Sequence, residues 1–162
     1  RFPNIELIIA GDGMLRVAVE EKVQEINGKC GKDIIRYIGP RNDIAFLVKE
    51  VDIAVGTGRF ALEAMAAGKP VVAIANDNDF PGLITPDNWY TARKTNWTRG
   101  DKIIVEETLA GEIEQLLVDP ALLHSLGKFG QNLVSHHFSS EIMAARLYDL
   151  YSKLIANTFS RS

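Results

Sequence analysis

The chain of 162 residues contains one cysteine, Cys30, and so can form no internal disulfide. A lone thiol of this kind fits a reducing compartment, and a cytoplasmic location is expected. No apolar run comes near the ~20 residues needed to cross a bilayer. The opening, "RFPNIELII", lacks the charged start and long apolar stretch of a secretion signal. An excess of positive charge is also missing. The 18 Lys and Arg are outnumbered by 21 Asp and Glu, and the basic residues are scattered, which argues against a nucleic-acid partner. Only three histidines occur, His124, His136 and His137, with no acidic or cysteine residues at ligand spacing, so no metal site is expected. No Ser-His-Asp pattern is visible. Asn96 to Thr98 match the N-glycosylation triplet, which carries little weight without a secretion signal.

What is present is ordinary for a soluble globular protein. Hydrophobic residues make up 46% and charged residues 24%, enough for one domain with a real core spanning 1–162. The first residue is Arg1, and a strand-like run follows within a few positions. The sequence is expected to be a piece of a longer, two-domain polypeptide.

Short apolar runs alternate with helical spacing. "IELIIAGDG" reads as a buried strand stopped by Gly-Asp-Gly, and "MLRVAVEEKVQEING" as a helix ending near Gly28. "DIIRYIG", "DIAVG" and "KPVVAIA" read as further strands. Short helices lie between them: "NDIAFLVKEV", capped by Asn42 or Asp43, and "RFALEAMAAG", closed by Gly68. This β-α-β-α-β-α-β order predicts an α/β fold, a Rossmann-like parallel sheet flanked by helices. The strands are continuously apolar, as expected when both faces are covered. Residues 76–100 turn polar, with Phe80, Trp89, Tyr90 and Trp97, and read as a long loop after the fourth strand. "DKIIVEE" suggests a short fifth strand. Helices are expected over "TLAGEIEQLLVD", over "PALLHSLGKFGQNLVSHHF" with Pro120 in its first turn, and over 139–159, capped by Ser139 or Ser140.

In an open parallel sheet, ligands bind past the carboxyl ends of the strands. The loops there are "GDG" at 11–13, "GPRND" at 39–43, "GTGRF" at 56–60 and the segment after Ala75. Gly56 and Gly58 allow close backbone approach, and the N–H groups of the following helix favour an anion such as a diphosphate. Arg59 could add a full charge. Glu63, one turn on, sits among small apolar neighbours, where an unpartnered carboxylate is costly. It could accept hydrogen bonds from ribose hydroxyls. Each feature also has a plainer reading. Gly-x-Gly and Asp-Gly are common tight turns, Glu63 could be a solvated helix residue, and Trp89, Tyr90 and Trp97 could pack rather than stack on a ligand.

Four segments follow one another in a familiar order: "PNIELIIAGDGMLR", "IIRYIGPRNDIAFLVKEVDIAV", "GTGRFALEAMAAGKPVVA" and "LLVDPALLHSLGKFGQNLVSHHFSSEIMAARLYDLYSKL". Together they resemble the C-terminal domain of GT-B glycosyltransferases, above all the retaining group 1 family (family 4). The most specific part is Glu-Ala-Met-Ala-x-Gly-x-Pro-Val-Val at 63–72. The resemblance implies the donor-binding half of a two-domain enzyme that takes a nucleotide-diphosphate sugar and needs no other cofactor. Glu63 matches the family glutamate on the ribose. Gly56, Thr57, Gly58, Arg59 and Phe60 match the loop facing the diphosphate and sugar, and Gly39, Pro40 and Arg41 match the turn at the base. An N-terminal acceptor-binding domain would be the partner, with the final helix crossing back to it. The resemblance leaves room for peripheral membrane association through that half, and for a role in cell-envelope or polysaccharide synthesis.

This sequence departs from the family in three ways. The family's first glutamate falls at Val55. The first strand and helix of the domain, with their diphosphate-neutralising Arg and Lys, are absent. The segment 76–100 replaces a short Gly-rich connection. The catalytic residue is therefore left unassigned, and the fragment alone is expected to bind nucleotide weakly and not to transfer sugar. Two other readings stay open: a GT-B-fold nucleotide-sugar epimerase or hydrolase, and a degenerate, non-catalytic nucleotide-sugar-binding module, which Val55 supports.

Overall fold

The computed structural model describes residue 2 and residues 4–75, 79–103 and 105–159. Residues 76–78 of the expected loop and Ile104 of the expected fifth strand lie outside the described residues. Two compact units form, Arg1–Ile44 and Ala45–Ser162.

The first unit is a single β-α-β turn. Strand β1 (Leu7–Ala10) pairs in parallel with β2 (Ile35–Gly39), Leu7 opposite Ile35 and Ile9 opposite Tyr37. Helix α1 (Arg16–Cys30) connects them. It runs two residues past the expected stop at Gly28, because Gly31 supplies the left-handed cap at φ 65° and its N–H donates to the Gly28 carbonyl. The Asn27 side chain ties helix to strand: its carbonyl accepts from the Ile34 and Ile35 N–H groups, and its amide donates to the Ile35 carbonyl. The spacing predicts an apolar face on α1, yet Leu15 and Val17 are 73% and 65% exposed.

A short helix, α2 (Ile44–Leu47), runs into a 3-10 turn at Val48–Glu50. In the second unit β3 (Ala54–Val55) and β4 (Val71–Ala73) are parallel, with α3 (Gly58–Ala66) as the crossover. This is again the expected order, with shorter strands. The chain is thus a mixed α/β fold in which parallel strand pairs are flanked by helices.

Residues 79–103 differ from the expected long loop. They form β5 (Asp79–Phe80), β6 (Gly82–Leu83), α4 (Trp89–Lys94) and β7 (Lys102–Ile103). Strand β6 adds antiparallel to β4, Val72 opposite Leu83, and β5 pairs antiparallel with β7. The cause is burial. Phe80 and Trp97 are fully inside, and Leu83 joins Val72 and Phe80 in one apolar cluster. The Asn88 side chain replaces a longer ladder: its amide donates to the Leu83 and Pro81 carbonyls, and its carbonyl accepts from the Thr85 N–H. The "DKIIVEE" strand exists as β7, paired with β5 rather than with a parallel neighbour.

Helices α5 (Glu106–Val118) and α6 (Pro120–His137) close the core through Leu116 and Leu126. Pro120 sits in the first turn as expected, and the Asp119 carboxylate caps α6 by accepting from the Ala121 and Leu122 N–H groups. Glu112 of α5 is buried, with one carboxylate oxygen accepting from the Leu83 N–H at 2.7 Å and the other paired with Lys102. The last helix, α7 (Ser140–Phe159), is capped by Ser139, whose hydroxyl accepts from the Ile142 N–H. No helix among the described residues is long and apolar enough to cross a membrane.

Candidate functional site

The turn that leads into α3 is built by close approach. The Gly56 N–H donates to the Val72 carbonyl, which fixes the turn to β4. The Phe60 ring lies against Gly56; a β-carbon there would stand 2.6 Å from the ring. Thr57 is extended, and its carbonyl accepts from the Ala61 N–H at 3.4 Å. Gly58 is buried with φ 61°, a left-handed conformation that suits glycine.

The first turn of a helix leaves backbone N–H groups without intrahelical partners. In α3 the Gly58 N–H is taken by the Asn96 carbonyl at 3.2 Å. The N–H groups of Arg59 and Phe60 have no acceptor among the described residues. They stand at the positive end of the helix dipole.

Arg59 and Glu63 are one turn apart on the same face. The Arg59 Nε donates to a Glu63 carboxylate oxygen at 3.0 Å, with the two side chains 90% and 35% exposed. The Glu63 carboxylate is therefore ion-paired rather than unpartnered, and the spacing of four that permits the pair is visible in the sequence. The pair is locally unfavourable in two respects. A cation at a helix N-terminus opposes the dipole, at a cost of about 0.3–1 kcal/mol. An Arg placed before its Glu is also the weaker order for such a pair.

Helix α3 is held from behind by α6. Ala61, Ala64 and Met65 form its buried face. Gly127 and Gly130 of α6 meet that face so closely that a β-carbon on Gly130 would stand 2.9 Å from Met65, and one on Gly127 2.2 Å from the Gly68 carbonyl oxygen. The C-terminal end of α3 and the turn at Gly68 are thus fixed against α6 by close contact.

The turn at Gly39, Pro40 and Arg41 belongs to the first unit. Gly39 is buried with φ 69°, and its carbonyl accepts from the Gly11 N–H, while the Tyr37 hydroxyl donates to the Gly11 carbonyl. Pro40 is exposed. Arg41 makes a two-pronged pair with Asp43 at 2.8 and 2.5 Å. The hydrogen bonds from Arg41 hold the Asp43 carboxyl below the usual aspartate range, and Asp43 in turn raises Arg41.

Val55, where the resemblance puts an acid, is half exposed at the end of β3. Of the aromatic residues with two readings, Trp97 is buried against Phe138, and Trp89 packs on His137 with ring centroids 5.0 Å apart. Tyr90 is 49% exposed and lies 4.4 Å from the Arg93 guanidinium. Asn96 is the site residue that sequence reading missed. Its only signal is that asparagine tolerates the left-handed backbone it adopts, φ 55°.

The sequence matches the family described as "Glycosyl transferases group 1" over residues 1–133. Among curated proteins no sequence relative is found. Several solved structures share the fold. Anabaena HepE in complex with UDP aligns with a TM-score of 0.66 at 22% identity, over 93% of this chain and 42% of that one. A variant of S. aureus TarM, solved with Fondaparinux, alpha-GlcNAc-glycerol and UDP, aligns with a TM-score of 0.66 at 18% identity, over 90% and 29%. WaaG, a glycosyltransferase involved in lipopolysaccharide biosynthesis, aligns with a TM-score of 0.57 at 17% identity, over 83% and 35%. The chain thus spans less than half the length of each of these structures, and the likeness is one of GT-B fold.

Proposed function

The chain belongs to the group 1 glycosyl transferases, and from that premise we propose that it is the donor-binding, C-terminal half of a retaining family 4 enzyme. The donor is a nucleotide-diphosphate sugar, with uridine the favoured base because HepE and TarM were solved with UDP. The acceptor is held by the other half of the protein, at the cytoplasmic side.

One observation carries this reading: at the positive end of α3 the Arg59 guanidinium, paired only with Glu63 among the described residues, stands beside two backbone N–H groups that have no acceptor among those residues. Local rules are broken in natural proteins chiefly where function requires it. A diphosphate would accept hydrogen bonds from the Arg59 and Phe60 N–H groups and draw the Arg59 guanidinium away from Glu63. The exchange costs little, because an exposed pair is worth only about 0–1 kcal/mol. Glu63, released, would accept from the ribose hydroxyls. As the bond from sugar to diphosphate breaks, negative charge grows on the leaving phosphate, and these fixed donors stabilise it without reorganising.

Val55 favours a second reading, a module that binds nucleotide sugar without turnover, since a valine cannot make the polar contacts of the family's acid. No feature favours an epimerase or hydrolase. Calorimetric titration of the protein with UDP, GDP and ADP tests the donor reading. UDP is expected to bind, and Glu63→Ala is expected to weaken it about 10- to 100-fold, the worth of hydrogen bonds to a charged acceptor at about 1.5–3 kcal/mol. Unchanged affinity in the mutant would refute the ribose role.

A further inference from the structure

We infer that the turn at 95–98 positions the nucleotide-facing turn, with Asn96 as a positioning residue. The inference rests on the donor-site reading of α3. The contact is direct: the Asn96 carbonyl accepts from the Gly58 N–H at 3.2 Å, and the Asn96 amide nitrogen lies 3.4 Å from where a β-carbon on Gly58 would be. This bond holds Gly58 and removes one of the helix's N–H groups from use. It leaves those of Arg59 and Phe60 as the donors an anion would find.

The turn is built to hold that carbonyl in place. Asn96 and Trp97 both sit in the left-handed region, φ 55° and 65°, where residues other than glycine are uncommon. Such a conformation persists only where its surroundings over-determine it. Here Trp97 is 1% exposed and packs against Phe138, and its N–H donates to the Ala92 carbonyl at 2.9 Å. Thr95 ties both ends: its hydroxyl meets the Ala92 and Arg99 carbonyls and accepts from the Arg99 N–H. The Thr98 hydroxyl donates to the Thr95 carbonyl at 2.5 Å. A buried tryptophan thus anchors a strained turn whose exposed tip presents one backbone oxygen to the head of the functional helix.

The test is a graded series at position 96, read by hydrogen exchange of the Gly58 amide and by UDP titration. Asn96→Val puts a β-branched residue at positive φ, where it is a true outlier. Asn96→Ala imposes milder strain, and Asn96→Gly accepts the backbone freely. The Gly58 amide is expected to be protected in the wild type and at least tenfold less protected in Asn96→Val. Asn96→Ala should fall between, and Asn96→Gly should rescue protection. UDP dissociation constants should follow the same rank, rising at least fivefold in Asn96→Val, with the thermal midpoint confirming that each variant is folded. Should Asn96→Val fail to fold, Asn96→Ala against Asn96→Gly decides the rank. Equal Gly58 exchange across the folded variants, or affinity that does not follow exchange, would overturn the positioning role. A wild type with a protected Gly58 that binds no nucleoside diphosphate would instead overturn the donor-site reading, and the nucleotide part of this inference with it.

Discussion

Adding one methyl group at Gly127 should separate this packing from any looser arrangement of α3 on α6. A β-carbon there would stand 2.2 Å from the Gly68 carbonyl oxygen and 3.1 Å from its carbon. Favourable contacts between non-bonded atoms lie nearer 3.5 Å, so the helices must part by about 1 Å. The neighbour is backbone in the turn that ends α3, not a side chain that can swing away. Overpacking of this kind costs about 1–3 kcal/mol, and the upper end applies because neither backbone can yield alone. Alanine gains about 1 kcal/mol over glycine in a helix interior. The net loss for Gly127→Ala is then about 2 kcal/mol, or a fall of roughly 4–8 °C in thermal midpoint for a chain of this size. The control is Gly111→Ala in α5, where a β-carbon would meet nothing within 4 Å. There only the propensity gain acts, and the midpoint should rise by about 2–4 °C. Urea unfolding at equal m-value would show that both effects are on stability. If both variants are stabilised alike, the close approach of Gly127 to Gly68 is absent, and with it the argument that backbone contact fixes the functional helix.

Three further outcomes are expected. Glu112→Ala leaves the Leu83 N–H and Lys102 without their acceptor and should cost about 2–4 kcal/mol in urea unfolding, with Glu112→Gln costing less because it still accepts from Leu83. Asp119→Ala removes the cap of α6 and should cost about 1 kcal/mol, with Asp119→Ser recovering most of it. The Asp43 carboxyl, held below the usual aspartate range mainly by its hydrogen bonds from Arg41, should titrate below ordinary aspartates in an NMR pH series. Its lowered value contributes stability above pH 4 that is lost as pH falls through the folded value. The stability difference between wild type and Arg41→Gln should therefore be present at neutral pH and vanish in acid; a difference that grows on acidification would contradict the pairing.

Much of the fold could be read in the sequence because each element announced itself locally. Leu7–Ala10 and Val71–Ala73 lie inside continuous apolar runs, Ile35–Gly39 in a β-rich run interrupted only by Arg36, and Pro120 and Gly68 mark real boundaries. Residues 79–100 were opaque for a physical reason. Strands of two residues have no periodicity to detect, and β6 exists because Leu83 completes a cluster with Val72 and Phe80 that only the folded chain assembles. The site divides in the same way. The Arg59–Glu63 pair follows from a spacing of four, whereas the bond from Asn96 to Gly58 joins residues 38 positions apart and leaves no local trace.

The Arg59–Glu63 pair also bears on how a ligand arrives. With the guanidinium offset by a carboxylate at 3.0 Å, the mouth of the turn projects little net charge into solvent, and the chain as a whole carries −3. Long-range attraction, which speeds many anion encounters and fades with ionic strength, has little to act on here. A nucleoside diphosphate would meet this surface by plain diffusion and be recognised only on contact. Its association rate should hold nearly constant as salt is added, and selectivity among nucleotides would then lie in how long each one stays.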